Sequence, residues 1–460
     1  MLLKNKLNKV KTFLDNDNVL TSLEERYCYV KDASNMRNST TVPDLVVFVK
    51  TIEEVQKVVK YANEHSIPII PRGAGSNMVG ACVSNNGGIV LNFSKMDKIL
   101  EINPQSLYAK VQPGVVLAEL KSKVEELGLF YPPDPSSYRI CTIGGTIAQS
   151  SGGARTFKYG TTKDYVLSLK VVLADGSLVT LGFDTIKNSA GYHLAQLMVG
   201  SEGTLGIIVE ATLKLIPAPE AKSTVVAYFS TMDRAVNSID DVLSSKIFPA
   251  AIDFMDKKSI RTVEDFLPSG LNTKAECLLL IELDGMEAGI SYQEDKIREI
   301  LFNSGALQVE LPKGIDLVQI WRARNSSFAA ATRLAPDVVS DDIIVPRENL
   351  VRIILKCYDV AEKYSLELCL IGHVGDGNIH PQFVLDLDDE LQYRNYMNAK
   401  AEIYASAKEL GGCISAEHGI GLDKSQYLNN LIENKVLDYM KELKRVFDPK
   451  NILNPGKIFK

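Results

Sequence analysis

Clustered cysteine is missing from this 460-residue sequence: its seven cysteines, Cys28, Cys82, Cys141, Cys277, Cys357, Cys369 and Cys413, are odd in number, scattered, and form no CxxC pair. That argues against a disulfide framework and against an iron–sulfur cluster held by this chain alone. Long apolar runs are missing too. CLLLIEL (277–283) and SIPII (66–70) are among the longest; both fall far short of the roughly 18 residues that span a bilayer, and both suit buried strands. The first 17 residues interleave Lys, Asn and Asp with apolar residues, so the expectation is an amphipathic leading helix rather than a signal peptide, and a cytoplasmic protein with no membrane span. Nor is there a surplus of positive charge. The formal net charge of −6 argues against a nucleic-acid partner, because neutralising phosphates calls for a basic surplus. Glycine (31) and proline (18) follow no three-residue period, which excludes a collagen-like chain. The 45% hydrophobic content is enough for sizeable cores, and the length suggests roughly two to four packed units.

From Pro43 onward, short β-rich runs alternate with helical ones. DLVVFVK (44–50) predicts a strand. Thr51 with Glu54 three residues on is a capping box, and Val55, Val58, Val59 and Ala62 follow at helical spacing. SIPIIPRGAG (66–75) is a strand running into a glycine-rich turn, so strand, helix, strand and glycine loop make a crossover unit able to present a nucleotide at the loop. Asp175 and Gly176 between two alternating apolar runs signal a hairpin. Glycine density falls after 217–219, and 220 to about 413 reads as a second α+β domain; from about 414 a charged helix leads to DPKNILNPGKIFK.

The glycine loop PRGAGSNMVG (71–80) brings backbone N–H groups together, the arrangement that holds a pyrophosphate. It is neither a Rossmann fingerprint, which would need glycine at Met78, nor a Walker loop, since it lacks GK[ST]. YPPDPSS (131–137), TIGGTIAQSSGG (142–153), KYG (158–160) and GSEGTLG (200–206) follow it. In this order and spacing the motifs resemble the flavin-binding half of the vanillyl-alcohol oxidase superfamily, within it the branch of the glycolate oxidase D subunit and the flavin-dependent D-lactate and D-2-hydroxyglutarate dehydrogenases. The resemblance runs from about Pro43 to the C-terminus. It implies an α+β fold: a two-subdomain FAD-binding (PCMH-type) domain over 1–219, a substrate-binding cap with an antiparallel sheet over 220–413, and a segment over 414–460 that returns to the FAD domain. It also implies FAD around Arg72, Gly73, Ala74, Gly75, Ser76 and Asn77, around Pro133, Thr142, Gly144, Gly145, Ser150, Ser151, Gly152 and Gly153, and beside Glu202, Gly206, Ile207 and Asn454. Arg72 serves either a phosphate or a loop-bracing ion pair, and Asn454 either the returning segment or a helix-terminating turn. Relatives that attach FAD covalently through this loop carry histidine where Ser76 stands, so non-covalent FAD is expected, with Cys141 as a packing residue.

Of five histidines, three fall in GHVGDGNIHP (372–381) and SAEHGIG (415–421). His373, His380 and the Glu417 carboxylate make a three-ligand set that leaves positions open for substrate, as a catalytic divalent metal requires. The resemblance assigns these three as ligands of zinc, manganese or iron, His418 as the base, and Arg324 in IWRARNSSFAAATR as the substrate arginine, with Arg322 as its neighbour. A guanidinium fork is the natural clamp for a carboxylate. The expected reaction is oxidation of a D-2-hydroxy acid to the 2-oxo acid by hydride transfer to flavin N5. Some dicarboxylate-oxidising relatives carry lysine near Ser340; its absence favours D-lactate or glycolate. Electrons must leave to an external acceptor: an electron-transfer flavoprotein, a quinone or an iron–sulfur subunit. An electron-relay subunit with little activity of its own, and a metallohydrolase using the His, His, Glu set, are the alternatives.

Overall fold

The computed structural model describes residues 7, 9–37 and 41–459. The leading-helix expectation falls partly outside these residues; within them the segment contains the 3₁₀ turn Lys11–Phe13. The chain divides into two units. The first comprises Met1–Ser151, Thr161–Ala218 and Glu417–Lys460, the second Gly152–Gly160 and Pro219–Ala416.

In the first unit, helix Ile52–His65 starts at the capping box: Thr51 Oγ1 accepts the Glu54 N–H at 3.2 Å, and the Glu54 carboxylate accepts the Thr51 N–H at 3.3 Å. The helix connects strands Leu45–Phe48 and Ile69–Arg72 as a crossover. These two strands do not pair with each other; both run parallel to Ile89–Asn92, which lies between them. Val55, Val58, Val59 and Ala62 are buried on this sheet with Val172, Ile207 and Val209 of a second sheet, so one core serves both. The second sheet is five-stranded and antiparallel, in the order Ile99–Asn103, Tyr108–Val111, Ile207–Lys214, Val166–Val172, Leu178–Gly182. Its last pair is the hairpin turned at Asp175 and Gly176, where Gly176 takes φ +84°. The C-terminal segment extends the first sheet: the Ile69 N–H donates to Ile452 O at 2.7 Å, and the Asn454 N–H to Ile69 O at 2.8 Å.

The second unit is built on one long antiparallel sheet ordered Ala306–Glu310, Ala221–Phe229, Cys277–Gly285, Ala251–Asp256, Glu367–His373, Asn378–Leu385, Asp337–Ser340. CLLLIEL is its buried central strand, as an apolar run bounded by polar residues should be. Gly152–Gly160, expected in the first domain, belongs here instead. Its side chains explain why: Arg155 grips Glu282 with two N–H groups at 2.7 and 3.0 Å, Lys158 pairs with Asp284, and the Tyr159 hydroxyl donates to Asp284 Oδ2 at 2.7 Å. Phe157 stacks edge-on against Phe248, with ring centroids 4.9 Å apart.

Candidate functional site

The glycine loop leaves strand Ile69–Arg72 and lines a cleft in the first unit. Gly73, Ala74, Gly75, Ser76 and Asn77 form one part of its wall. Thr142, Gly144, Gly145 and Ser151 form a second part, and Glu202, Gly206 and Ile207 a third. Two glycines are required by close approach. A Cβ on Gly73 would stand 2.2 Å from Thr142 Oγ1, and one on Gly206 2.4 Å from Val171 Cγ1. Among the described residues, the N–H groups of Gly73, Ala74, Gly75 and Ser76 donate to no acceptor. Consecutive unpaired donors beside a cleft are what a pyrophosphate satisfies, so this wall fits the FAD that the sequence implies.

Of the other expected cofactor residues, Arg72 also lines the cleft, whereas Pro133, Ser150, Gly152 and Gly153 do not. The Arg72 guanidinium braces the loop: Nη2 donates to Lys31 O at 2.8 Å, Nη1 to Cys82 O at 3.3 Å, and the group lies 5.4 Å from the Tyr29 ring centroid. Pro133 is buried away from the cleft, whose wall is made at that point by Pro135, Ser136 and Ser137. Ser150 turns the chain in the left-handed region, its N–H donating to Ile147 O, and the Gly153 N–H is taken by Thr156 Oγ1 at 3.0 Å. Gly152 and Gly153 open the segment that belongs to the second unit. Cys141 lines the cleft, with a thiol pushed up to about 11 by burial.

Glu202 is buried with its carboxylate oxygens accepting the N–H groups of Ile420 at 2.6 Å and Gly421 at 2.9 Å. Burial pushes its carboxyl up to about 7 against those two hydrogen bonds. It thereby fixes the turn that follows His418. Glu417 and His418 line the same cleft as the glycine loop, and His418 O accepts from Asn77 Nδ2 at 3.2 Å. Asn454 does not line the cleft; its amide donates to Ala81 O at 2.8 Å and Glu202 O at 2.7 Å, tying the returning segment to two cleft residues.

The second unit brings Arg324, His373 and His380 together. On helix Ile315–Asn325 the buried positions are Ile320, Ala323 and Arg324, one helical stripe, which points Arg322 outward and Arg324 inward. Arg324 Nε lies 2.6 Å from Asp253 Oδ2, and His373 Nδ1 lies 2.7 Å from Asp253 Oδ1. Burial would raise the Asp253 carboxyl, but the Arg324 guanidinium and His373 outweigh it and hold the group below its ordinary value. His373 and His380 pack edge to face at 5.3 Å between centroids, and His380 Nδ1 is 3.3 Å from Asp341 O. Both Nδ1 atoms face oxygen acceptors, so in the neutral rings Nδ1 carries the proton and Nε2 the lone pair, the form a metal ligand needs. Asp342 accepts from Asn378 Nδ2, Ser415 Oγ and the Ala416 N–H, at 2.9, 2.9 and 2.8 Å. It thus anchors the segment that runs directly into Glu417. The sequence reading missed Asp253 and Asp342; the available signal was an acid inside an apolar strand, AIDFMD, and the DD pair ahead of IIV.

Comparison with known proteins shows the family and the fold. Residues 218–458 match the family described as FAD linked oxidases, C-terminal domain, and residues 43–182 match an FAD binding domain. Glycolate oxidase subunit GlcD of Bacillus subtilis (strain 168) is 42% identical over 94% of this chain and 92% of its own length. A D-lactate dehydrogenase of Anaerostipes hadrus is 36% identical over 90% of this chain and 89% of its own. A substrate-bound p-cresol methylhydroxylase shares the fold, with a TM-score of 0.84 at 18% identity over 99% of this chain and 96% of that one. No helix among the described residues is long and apolar enough to cross a membrane.

Proposed function

Because the chain belongs to the family of FAD-linked oxidases, we propose that it oxidises a small D-2-hydroxy acid, D-lactate or glycolate, to the 2-oxo acid. The observation that carries this is Arg324. Its guanidinium is buried, and neither Nε nor Nη2 has a hydrogen-bond partner among the described residues. Its charge is already paired with Asp253, but a buried N–H without a partner calls for an acceptor, and a second carboxylate matches the planar fork. Arg324 would orient the substrate by its carboxylate, and His418 would take the hydroxyl proton as the C2 hydride departs. FAD, which the N–H groups of 73–76 with Thr142, Gly144 and Gly145 would hold, supplies the hydride acceptor when bound. His373, His380 and Glu417 would hold a divalent zinc, manganese or iron ion, whose chemistry is to lower the pKa of the substrate hydroxyl. The similar proteins named for glycolate and D-lactate act on monocarboxylates, and at Ser340 this chain offers no second cation for a distal carboxylate. The absence of cysteine clusters means electrons leave to a separate quinone, electron-transfer flavoprotein or iron–sulfur subunit, and the naming of a relative as a subunit favours a partner chain.

The test is an anaerobic titration of the purified yellow protein with D-lactate, L-lactate, glycolate, D-2-hydroxyglutarate and D-malate, before and after chelation. D-lactate or glycolate should bleach the flavin band, and the chelator should slow the bleaching. His418→Ala should keep the colour and lose the bleaching. A colourless protein that cannot be reconstituted, or a His418→Ala variant reduced at the normal rate, would overturn the reading.

A further inference from the structure

We propose that Asp253 is the positioning residue that aligns the substrate clamp and a metal ligand as one piece, one carboxylate oxygen holding the Arg324 guanidinium and the other the His373 imidazole. It rests on the assignment of Arg324 and His373 made above and adds to that assignment the group that orients both. Asp253 is 1% exposed and lies on strand Ala251–Asp256, all six of whose residues are buried. That strand pairs with Glu367–His373 in the register Phe254 to Gly372 and Met255 to Ile371, which brings Asp253 level with His373. Arg324 arrives from a different element, helix Ile315–Asn325.

The chemistry of a carboxylate makes this a joint device. It only accepts hydrogen bonds, so at 2.7 Å it requires a proton on His373 Nδ1, which in the neutral ring leaves the lone pair on Nε2. The same anion is the ion-pair partner of the guanidinium, 2.6 Å from Nε although that N–H forms no hydrogen bond, so it fixes where the group sits and leaves Nη2 on its Nη edge without an acceptor. A substrate carboxylate gripped by that edge and a hydroxyl oxygen near the imidazole would then sit at a distance set by one buried side chain.

Asp253→Asn preserves the volume, but an amide that accepts from one partner must turn its N–H groups on the other. In the full-length flavoprotein stripped of metal, Zn²⁺ affinity measured by calorimetry should fall by about 10- to 100-fold. The half-saturating concentration of whichever hydroxy acid reduces the flavin should rise on the order of 10-fold. A side chain that merely fills space would move neither, and if either quantity stays at the wild-type value the proposal is overturned. Should Asp253→Asn not accumulate as folded protein, the ¹⁵N resonances of His373 in the wild type decide. A proton on Nδ1 supports the proposal; a bare Nδ1 with the proton on Nε2 overturns it, since two acceptors cannot face each other at 2.7 Å. An Arg324→Ala variant with unchanged half-saturation would instead remove the clamp reading, and the Zn²⁺ and ¹⁵N measurements would still report on Asp253 and His373.

Discussion

Glu202 shows how much one carboxylate can organise from below a cleft. With φ +53° it occupies a strained turn, and its two oxygens collect the N–H groups of Ile420 and Gly421 just past His418. Its ordinary value of 4.5 rises to about 7 in the fold, chiefly through burial. Between those two values the unfolded chain has released the proton while the folded chain keeps it, so stability falls as pH rises through that window. Glu202→Gln carries no titrating group there. The drop in thermal midpoint between about pH 5 and pH 7.5 should shrink in the variant by the equivalent of up to about 3 kcal/mol; parallel pH profiles would contradict it. At this scale the histidines were legible because they are few and their motifs are compact. Asp253 was not. Its two partners lie 71 and 120 residues away, since 324 − 253 = 71 and 373 − 253 = 120, and only sheet register and helical phase bring them to one carboxylate. Arg72 illustrates the converse, for its charge was plain in the sequence while the carbonyls of Lys31 and Cys82 that engage it were not.

Single elements with local signals read well. The Thr51 capping box and the four apolar residues behind it describe helix Ile52–His65 because every interaction involved lies within a few residues. The hairpin at Asp175 and Gly176 is local in the same sense, with the Ser177 N–H donating to Asp175 Oδ1 at 2.8 Å. The pairing of strands is not local. Nothing in DLVVFVK or SIPII says that Ile89–Asn92 separates them, because a parallel ladder is set by which strand completes the core after the crossover. The helix should depend on its cap. Thr51→Ala removes the acceptor for the Glu54 N–H and should destabilise the first unit by about 1 kcal/mol, seen as a lower thermal midpoint with the flavin spectrum unaltered. An unshifted midpoint would mean that the Glu54 carboxylate, which also accepts the Lys50 N–H at 2.6 Å, secures the start of the helix alone.

At the scale of the whole molecule, the first unit is assembled from three separated stretches of chain, and its last stretch completes its first sheet. Local patterns cannot reveal this, since a segment such as NILNPGK has the same composition whether it ends a chain or closes a sheet; only the resemblance to a family pointed to a returning segment. The contacts give that return a measurable consequence. Ile69, at the start of the strand that leads into the glycine loop, receives Ile452 and Asn454 on its two backbone groups, and Asn454 reaches the carbonyls of Ala81 and Glu202 on the cleft wall. Lys444 adds hydrogen bonds to Thr204 O and Leu453 O, both 2.8 Å. A chain ending at Phe447 would leave the Ile69 N–H and the Ala81 and Glu202 carbonyls without these partners, and each buried orphan of this kind costs about 1–3 kcal/mol. The loop whose N–H groups face the cleft would lose its support first. The truncated protein should therefore purify with little or no flavin absorbance per chain, while Asn454→Ala, which keeps the backbone bonds to Ile69, should retain part of it. Full retention of colour by the truncated chain would show that the glycine loop holds its shape without the returning segment.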